Sequence, residues 1–305
     1  MALYSINNNG QLEQVREFDF KLEKEIQNLA EENLTTIFGL KFIKSEFAIN
    51  SFRIDSLAFD NETKSFVIIE YKRDKNFSVI DQGYAYLSLM LNNKADFVLE
   101  YNETQEDSIK RDDVDWSQSK VMFVSPSFTP YQREAINFKD LPIELWEIKR
   151  YNNKTVNFSK IQTGNTKESV KTISRKNIAI ENVSKEIMVY TEDGHLTSAT
   201  EETKELYDKL KKAILNLEDL EIQPKKMYIA FVGNTNVVDI IIQRNALKLH
   251  INLKKGELDD SKNLSRDVSG IGHLGNGDFE LQIQNDENLE YIMSLIKQSV
   301  KKNKS

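Results

Sequence analysis

The chain of 305 residues contains no cysteine. That absence removes disulfide scaffolds, thiolate zinc sites, iron–sulfur clusters and cysteine nucleophiles together. Histidine is nearly as scarce: His195, His250 and His273 are all there are, so a three-histidine zinc centre would need every one. No apolar run approaches the ~18 residues needed to span a bilayer. The opening residues, Met1 to Ile6 and then three asparagines, have neither a basic start nor a long apolar stretch. No secretory leader is expected, no membrane partner, and a cytoplasmic location is. What is present is 39% hydrophobic and 29% charged, the balance of folded globular domains, in a length that implies two of them.

Formal charge is −7 for the whole chain, which alone argues against a nucleic-acid partner. The distribution argues otherwise. Between Lys149 and Lys176 there are eight basic residues against the single acid Glu168, a local net charge of +7. A basic segment on an acidic body suits phosphate tracking; a solvated, lysine-rich linker is the competing reading.

Periodicity divides the chain. Residues 18–37 carry Leu22, Ile26, Leu29 and Leu34 near a helical stripe. Residues 40–48, 52–59 and 65–72 read as three strands. Ser78, with Asp81 three residues on, starts a helix that Asn92-Asn93 ends. Residues 96–101, 120–125 and 143–149 read as further strands. This is a mixed α/β domain over residues 1–150. Residues 151–195 read as a basic connector. Residues 196–305 read as a smaller α+β domain: a helix over 201–217, strands over 227–232, 237–243, 246–253 and 279–283, and a closing helix over 288–301.

The most informative stretch is the hairpin 53–72. With residues 61–64 as the turn, partners sum to 125, so Phe59 meets Phe66, Leu57 meets Ile68, Asp55 meets Glu70 and Arg53 meets Lys72. All eight share one face, greasy near the turn and charged at the open end. Two facing carboxylates repel, and acids at the edge of a core are costly unless compensated. A divalent cation would remove the conflict. So would an ordinary salt bridge from Lys72 or Arg53.

Asp55, then Glu70-Tyr71-Lys72, then Gln82-Gly83-Tyr84-Ala85-Tyr86 resembles the PD-(D/E)XK nuclease superfamily, with the Q-x-x-x-Y motif of its RecB-type, NucS-like branch. The order of helix, three strands, helix and strand over about residues 18–150 is similar to the core of that superfamily. Ile54 stands where the name-giving motif has proline. The resemblance implies a restriction-endonuclease-like mixed sheet flanked by helices, and a nuclease that hydrolyses DNA phosphodiester bonds with Mg²⁺ or Mn²⁺. It implies that Asp55, Glu70, the Tyr71 carbonyl and a first-helix glutamate hold metal, that Lys72 orients water, and that Gln82 and Tyr86 contact the metal-bound water or the phosphate. Glu25 shares a face with Leu22, Ile26 and Leu29 and is the leading helix acid; Glu32 competes, while Glu23 and Glu31 read as solvent-facing. Arg53, Arg73, Lys75, Lys149, Arg150 and Lys154 are the expected DNA contacts. A homodimer is compatible with the resemblance, and a non-catalytic nucleic-acid-binding or assembly module of the same fold is the alternative.

Further on, Gly270-Ile271-Gly272-His273-Leu274-Gly275 spells G-x-G-x-x-G, but no strand precedes it and no helix follows, so a dinucleotide site is not expected. With Gly277, four of the eleven glycines fall within eight residues, which points to tight turns or close backbone contact. This region and Tyr190 to Leu196 resemble an uncharacterised C-terminal domain often found behind such nucleases, sometimes labelled a predicted transport protein. His273, Arg266 and Asp278 are candidate ligand contacts there, against a loop-stabilising role, and the whole domain is a candidate binding module for a non-nucleic partner. Trp116 and Trp146 are candidates for base stacking or for buried anchors.

Overall fold

The computed structural model describes residues 2–73, 77–138, 140–162 and 178–303. The chain forms two units, Met1–Val189 and Tyr190–Ser305.

The first unit opens with a two-stranded hairpin, β1 (Leu3–Ile6) and β2 (Leu12–Val15). The sheet that follows is built from β3 (Glu17–Phe18), β4 (Lys41–Ile49), β5 (Phe52–Asp60), β6 (Ser65–Tyr71), β7 (Lys120–Ser125), β8 (Ile143–Tyr151) and β9 (Val156–Lys160). Strand order is β3-β8-β7-β6-β5-β4, with β9 on β8. The β6–β7 and β7–β8 pairs are parallel and the others antiparallel, so the sheet is mixed. The turn after β5 is held by Asp60 Oδ1, which accepts from the N–H groups of Glu62 and Thr63. It sets the register at Asp60↔Ser65, Phe59↔Phe66 and Leu57↔Ile68, as the sum of 125 requires.

Every residue of β6 is buried because both faces are covered. On one face Leu57, Phe59, Phe66 and Ile68 pack with α3 (Val79–Asn92) and α4 (Lys94–Thr104). On the other, Ala58, Val67, Ile69 and Tyr71 pack with Ile26 and Ala30 of α1 (Glu23–Glu31) and Leu34 of α2 (Leu34–Phe38). The N-cap of α3 is Ser78, whose hydroxyl accepts from the Asp81 N–H. Gly83 has no room for a Cβ, which would strike the tip of Ile143, so α3 lies close on the sheet. A short α5 (Pro130–Ala135) links β7 to β8.

Two local expectations are corrected. Residues 96–101 are helix, not strand: Phe97 and Tyr101, four apart, both enter the core from α4, and a short apolar run does not by itself distinguish the two periods. Residues 151–189 also differ from the expected connector. β8 runs to Tyr151, β9 follows it, and α6 (Ile178–Glu186) contributes Val183 to the same core as α3, joined by Ile187. The basic residues 167, 171, 175 and 176 lie outside the described residues.

The second unit contains α7 (Glu192–Leu196), α8 (Glu201–Leu215), β10 (Glu221–Pro224), β11 (Ile229–Val232), β12 (Asn236–Ile242), β13 (Leu247–Ile251), β14 (Arg266–Asp267), β15 (Phe279–Ile283) and α9 (Leu289–Asn303). Its six-stranded antiparallel sheet has the order β10-β11-β12-β13-β15-β14, and α8 and α9 share one core with its apolar face. Among the described residues no helix is long and apolar enough to cross a membrane.

Candidate active site

β5 and β6 pair as far as Ser56↔Ile69 and then diverge. Asp55 and Glu70 lie one residue beyond the last paired positions, so the expected Asp55–Glu70 and Arg53–Lys72 pairs are not part of the ladder. The main-chain N–H of Tyr71, beyond the ladder, donates instead to Asp55 Oδ2 at 3.0 Å. Glu70 is 3% exposed. Its Oε1 accepts from Lys72 Nζ at 2.6 Å and from Gln82 Nε2 at 3.0 Å. Its Oε2 is buried with no hydrogen-bond partner among the described residues. The Gln82 amide also donates to the Tyr86 hydroxyl at 3.3 Å, so positions 82 and 86 act from one helix face, four residues apart. The structure thus brings Asp55, Glu70, Lys72, Gln82 and Tyr86 together at one end of the sheet.

Burial pushes the Asp55 carboxyl up to about 6, and the Glu70 charge adds to that; the Tyr71 N–H and Lys72 oppose it. Burial also raises the Tyr86 hydroxyl, with the Glu70 carboxylate next in effect. Lys72 neutralises one oxygen of Glu70, as a structural salt bridge would. The second Glu70 oxygen is left without a partner among the described residues, and the Tyr71 N–H and Lys72 only partly offset the burial of Asp55.

The helix acid differs from expectation. Glu25 faces Arg150 at 3.4 Å, and Glu32 is an exposed residue at the C-cap of α1. The residues that reach the acid-bearing strand are Gln27 and Glu31. The Gln27 side-chain amide donates to the Asp55 carbonyl at 2.8 Å, to Glu31 Oε1 at 2.9 Å and to Ser45 Oγ at 3.2 Å. Ser56 donates to the same Glu31 oxygen at 2.5 Å. The reason lies in the helix start: Leu22 is the N-cap, 61% exposed and outside α1. Without it the buried stripe is Ile26, Gln27 and Ala30, and Glu31 follows Gln27 by one turn. A polar residue inside an apolar stripe was the available signal.

A third acid was missed. Glu46 sits between the pairs Ser45↔Ser56 and Phe47↔Ile54, level with Asp55 on the neighbouring strand, and its φ is 53°. Its negative charge contributes to the rise of the Asp55 pKa. The Glu46 carboxylate is held by Lys24 at 3.1 Å and Arg53 at 2.8 Å, and Lys24 lowers its pKa. Non-glycine residues with φ > 0 inside strands are uncommon and mark local constraint.

Four of the six expected phosphate-binding cations have local partners. Arg53 pairs with Glu46, Lys149 with Glu17 at 3.0 Å, and Arg150 with Glu25 while lying over the Phe20 ring. Arg73 donates to the Lys21 carbonyl at 2.7 Å. Lys154 is exposed in the turn between β8 and β9, and Lys75 lies outside the described residues. Trp116 stacks on Phe66, and Trp146 meets Phe38 edge-on, so both serve as packing anchors. The G-x-G-x-x-G stretch is a loop between β14 and β15 rather than a strand-to-helix turn. His273 Nδ1 lies 3.0 Å from the Ile271 carbonyl, and Asp278 accepts from the Lys255 N–H.

Among the described residues no group of three or more His, Asp or Glu side chains is arranged to hold a metal ion. The donor set at the sheet end is two carboxylates, Asp55 and the free Glu70 oxygen. It fits the Mg²⁺ habit of one or two carboxylates completed by water and phosphate.

The class these features define is a mixed α/β protein with one buried acid, one half-buried acid and a lysine at the end of its central sheet. The chain belongs to the family of a Haemophilus influenzae protein described as uncharacterized, with which it is 54% identical over 293 residues, 96% of this chain and 97% of that one. A family profile described as a domain of unknown function (DUF5655) matches residues 192–302. Among solved structures, a repair endonuclease from Pyrococcus abyssi is 23% identical over 40% of this chain and 45% of that one, with a TM-score of 0.23. EndoMS in its apo form is 22% identical over 41% and 48%, with a TM-score of 0.26. EndoMS with double-stranded DNA is 20% identical over 48% and 60%, with a TM-score of 0.27. The matched part thus spans less than two thirds of each of those chains, and scores this low assign neither activity nor partner.

Proposed function

We propose that the first unit is a divalent-metal-dependent nuclease acting on DNA phosphodiester bonds. The observation that carries this reading is the Asp55–Glu70 pair. Two acids sit on adjacent strands at the end of a core, one with its carboxyl raised to about 6 and the other with a buried, unpartnered oxygen. An arrangement so costly in the free protein is what a cation site requires.

Asp55, Glu70 and the Tyr71 carbonyl would hold Mg²⁺ or Mn²⁺, which supplies Lewis-acid stabilisation of charge at phosphorus and a more acidic water. Lys72, paired with Glu70 at 2.6 Å, would orient the attacking water or steady a phosphate oxygen. Gln82 fixes the Glu70 carboxylate from α3, and Tyr86 stays protonated as an O–H donor because burial and Glu70 both oppose its ionisation.

The test is incubation of single- and double-stranded DNA with the protein in Mg²⁺, in Mn²⁺ and in chelator. Metal-dependent cleavage that drops by about 10²-fold or more in both Lys72→Ala and Asp55→Ala supports the assignment. Cleavage that survives both substitutions overturns it. The Lys72–Glu70 ion pair favours a second reading, a nucleic-acid-binding module of the same fold without turnover. DNA binding without cleavage, and no rise of Tm with divalent metal, would select that one.

A further inference from the structure

The second unit carries a polar row independent of the acids of the first. The strand registers place Asp239 opposite His250, His250 opposite Glu280, and Glu280 opposite Arg266. One titratable or charged side chain from each of β12, β13, β15 and β14 therefore lies at one level on the face away from the α8/α9 core. Asp239 and His250 are 0% and 1% exposed. A glycine-rich loop closes over them. The His273 ring stacks on His250 with centroids 5.2 Å apart and planes 7° from parallel. Gly275 lies so close that a Cβ there would come within 2.6 Å of the His250 ring. Gly277, with φ +84°, passes against the main chain of Ile251 with no room for a side chain. Asn276 ties the loop down, its N–H and side-chain amide donating to Asp239 Oδ2 at 2.5 and 3.0 Å.

His250 is the misfit in this arrangement. Its Nδ1 is buried and bonds to nothing among the described residues, and its Nε2 lies 3.7 Å from Glu280 Oε2, beyond hydrogen-bond reach. Glu280 is instead engaged by Lys248 at 3.1 Å. We infer that the loop 269–277 is a proton-operated clasp, shut over neutral His250 and released when that ring takes a proton.

The groups facing His250 decide the direction. Glu280 on β15 favours the imidazolium, and Arg266 on β14 stands beyond it. Lys248 on the same strand and His273 on the loop oppose the charge, and Asp239 on β12 is committed to Asn276. Burial is the largest influence and lowers the His250 pKa below its ordinary 6.5. A histidine lowered in the closed state binds its proton better when the loop is open. Closure is therefore favoured above the ordinary histidine pKa, and opening gains as pH falls below it.

The full chain is tested by hydrogen–deuterium exchange, with peptides covering 268–278 compared with peptides covering β11 after correction for intrinsic rates. Loop protection is expected to fall by about tenfold between about pH 7.5 and about 5.5 while β11 stays constant. His250→Phe keeps a stacking ring that cannot titrate, and its loop should stay protected at both pH values. A flat profile in the wild type, or unchanged pH dependence in His250→Phe, overturns the proposal. Should that variant fail to fold, the wild-type His250 ring is followed by NMR. Titration together with the loop signals supports the clasp; a ring that protonates while the loop signals do not move rejects it.

Discussion

Asp55 shows what a single residue can reveal before any ligand is considered. Its carboxyl is raised from 3.8 to about 6 by burial and by Glu70. The folded state thus holds its proton more tightly than the unfolded one, so the penalty is absent at low pH and grows as pH rises from about 4 through about 6. At about 1.4 kcal/mol per pKa unit the shift corresponds to roughly 3 kcal/mol. Asp55→Asn is expected to raise Tm at pH 7.5 and to leave it nearly unchanged at pH 4, measured by thermal melts. On the proposed metal-dependent reading, Mg²⁺ or Mn²⁺ would raise the Tm of the wild type by relieving the same repulsion, and this variant is expected to show no such rise. The residues gathered at this sheet end were largely legible in the chain: the hairpin register put Asp55, Glu70 and Lys72 on one face, and the resemblance to the Q-x-x-x-Y motif singled out Gln82 and Tyr86, one helical turn apart. Glu25 was misplaced because Leu22 counted toward a helix that begins after it, and Glu46 was invisible because its role depends on a left-handed φ that no spacing announces.

Elements hold those residues in place through a few bonds between layers. Gln27 is 4% exposed and joins α1 to both β4 and β5, through Ser45 and the Asp55 carbonyl. Gln27→Leu leaves these buried acceptors short of a donor, and a cost of about 1–3 kcal/mol is expected in urea unfolding. Strand by strand, the sheet around the site could be read from alternation, since Phe66/Ile68 and Val67/Ile69/Tyr71 segregate to opposite cores. The α4 segment could not. Its apolar residues Phe97, Val98, Leu99 and Tyr101 fit either period over so short a run, and only the docking of Phe97 and Tyr101 against Phe59 and Phe66 selects the helix. In the second unit the glycine cluster announced close packing. Gly277→Ala, which needs both a left-handed φ and space occupied by Ile251, should lower the stability of that unit by more than about 1 kcal/mol by chemical denaturation.

For the whole molecule, the division at Val189 rather than near residue 150 has a measurable consequence. A fragment of residues 1–189 is expected to unfold cooperatively by calorimetry, and so is one of residues 190–305. A fragment ending at residue 150 should not, because it lacks β9 and the Val183 and Ile187 side chains that complete the core beside α3. The family relationship extends along nearly the entire chain, so both units travel together in the Haemophilus influenzae relative.

The sequence by itself determined the alternation that builds the central sheet, the hairpin register from Asp60↔Ser65 to Ser56↔Ile69 that leaves Asp55 and Glu70 at its open end, and the helical turn joining Gln82 to Tyr86, because these depend on local periods and one short turn. Only the tertiary structure decided which helix side chains reach that sheet end, which cations are already spoken for, and that His250 lies buried under a glycine loop with its Nδ1 unpartnered among the described residues. Those outcomes depend on which surfaces meet once the layers close, and burial of a polar atom is a property of its neighbours rather than of its own place in the chain.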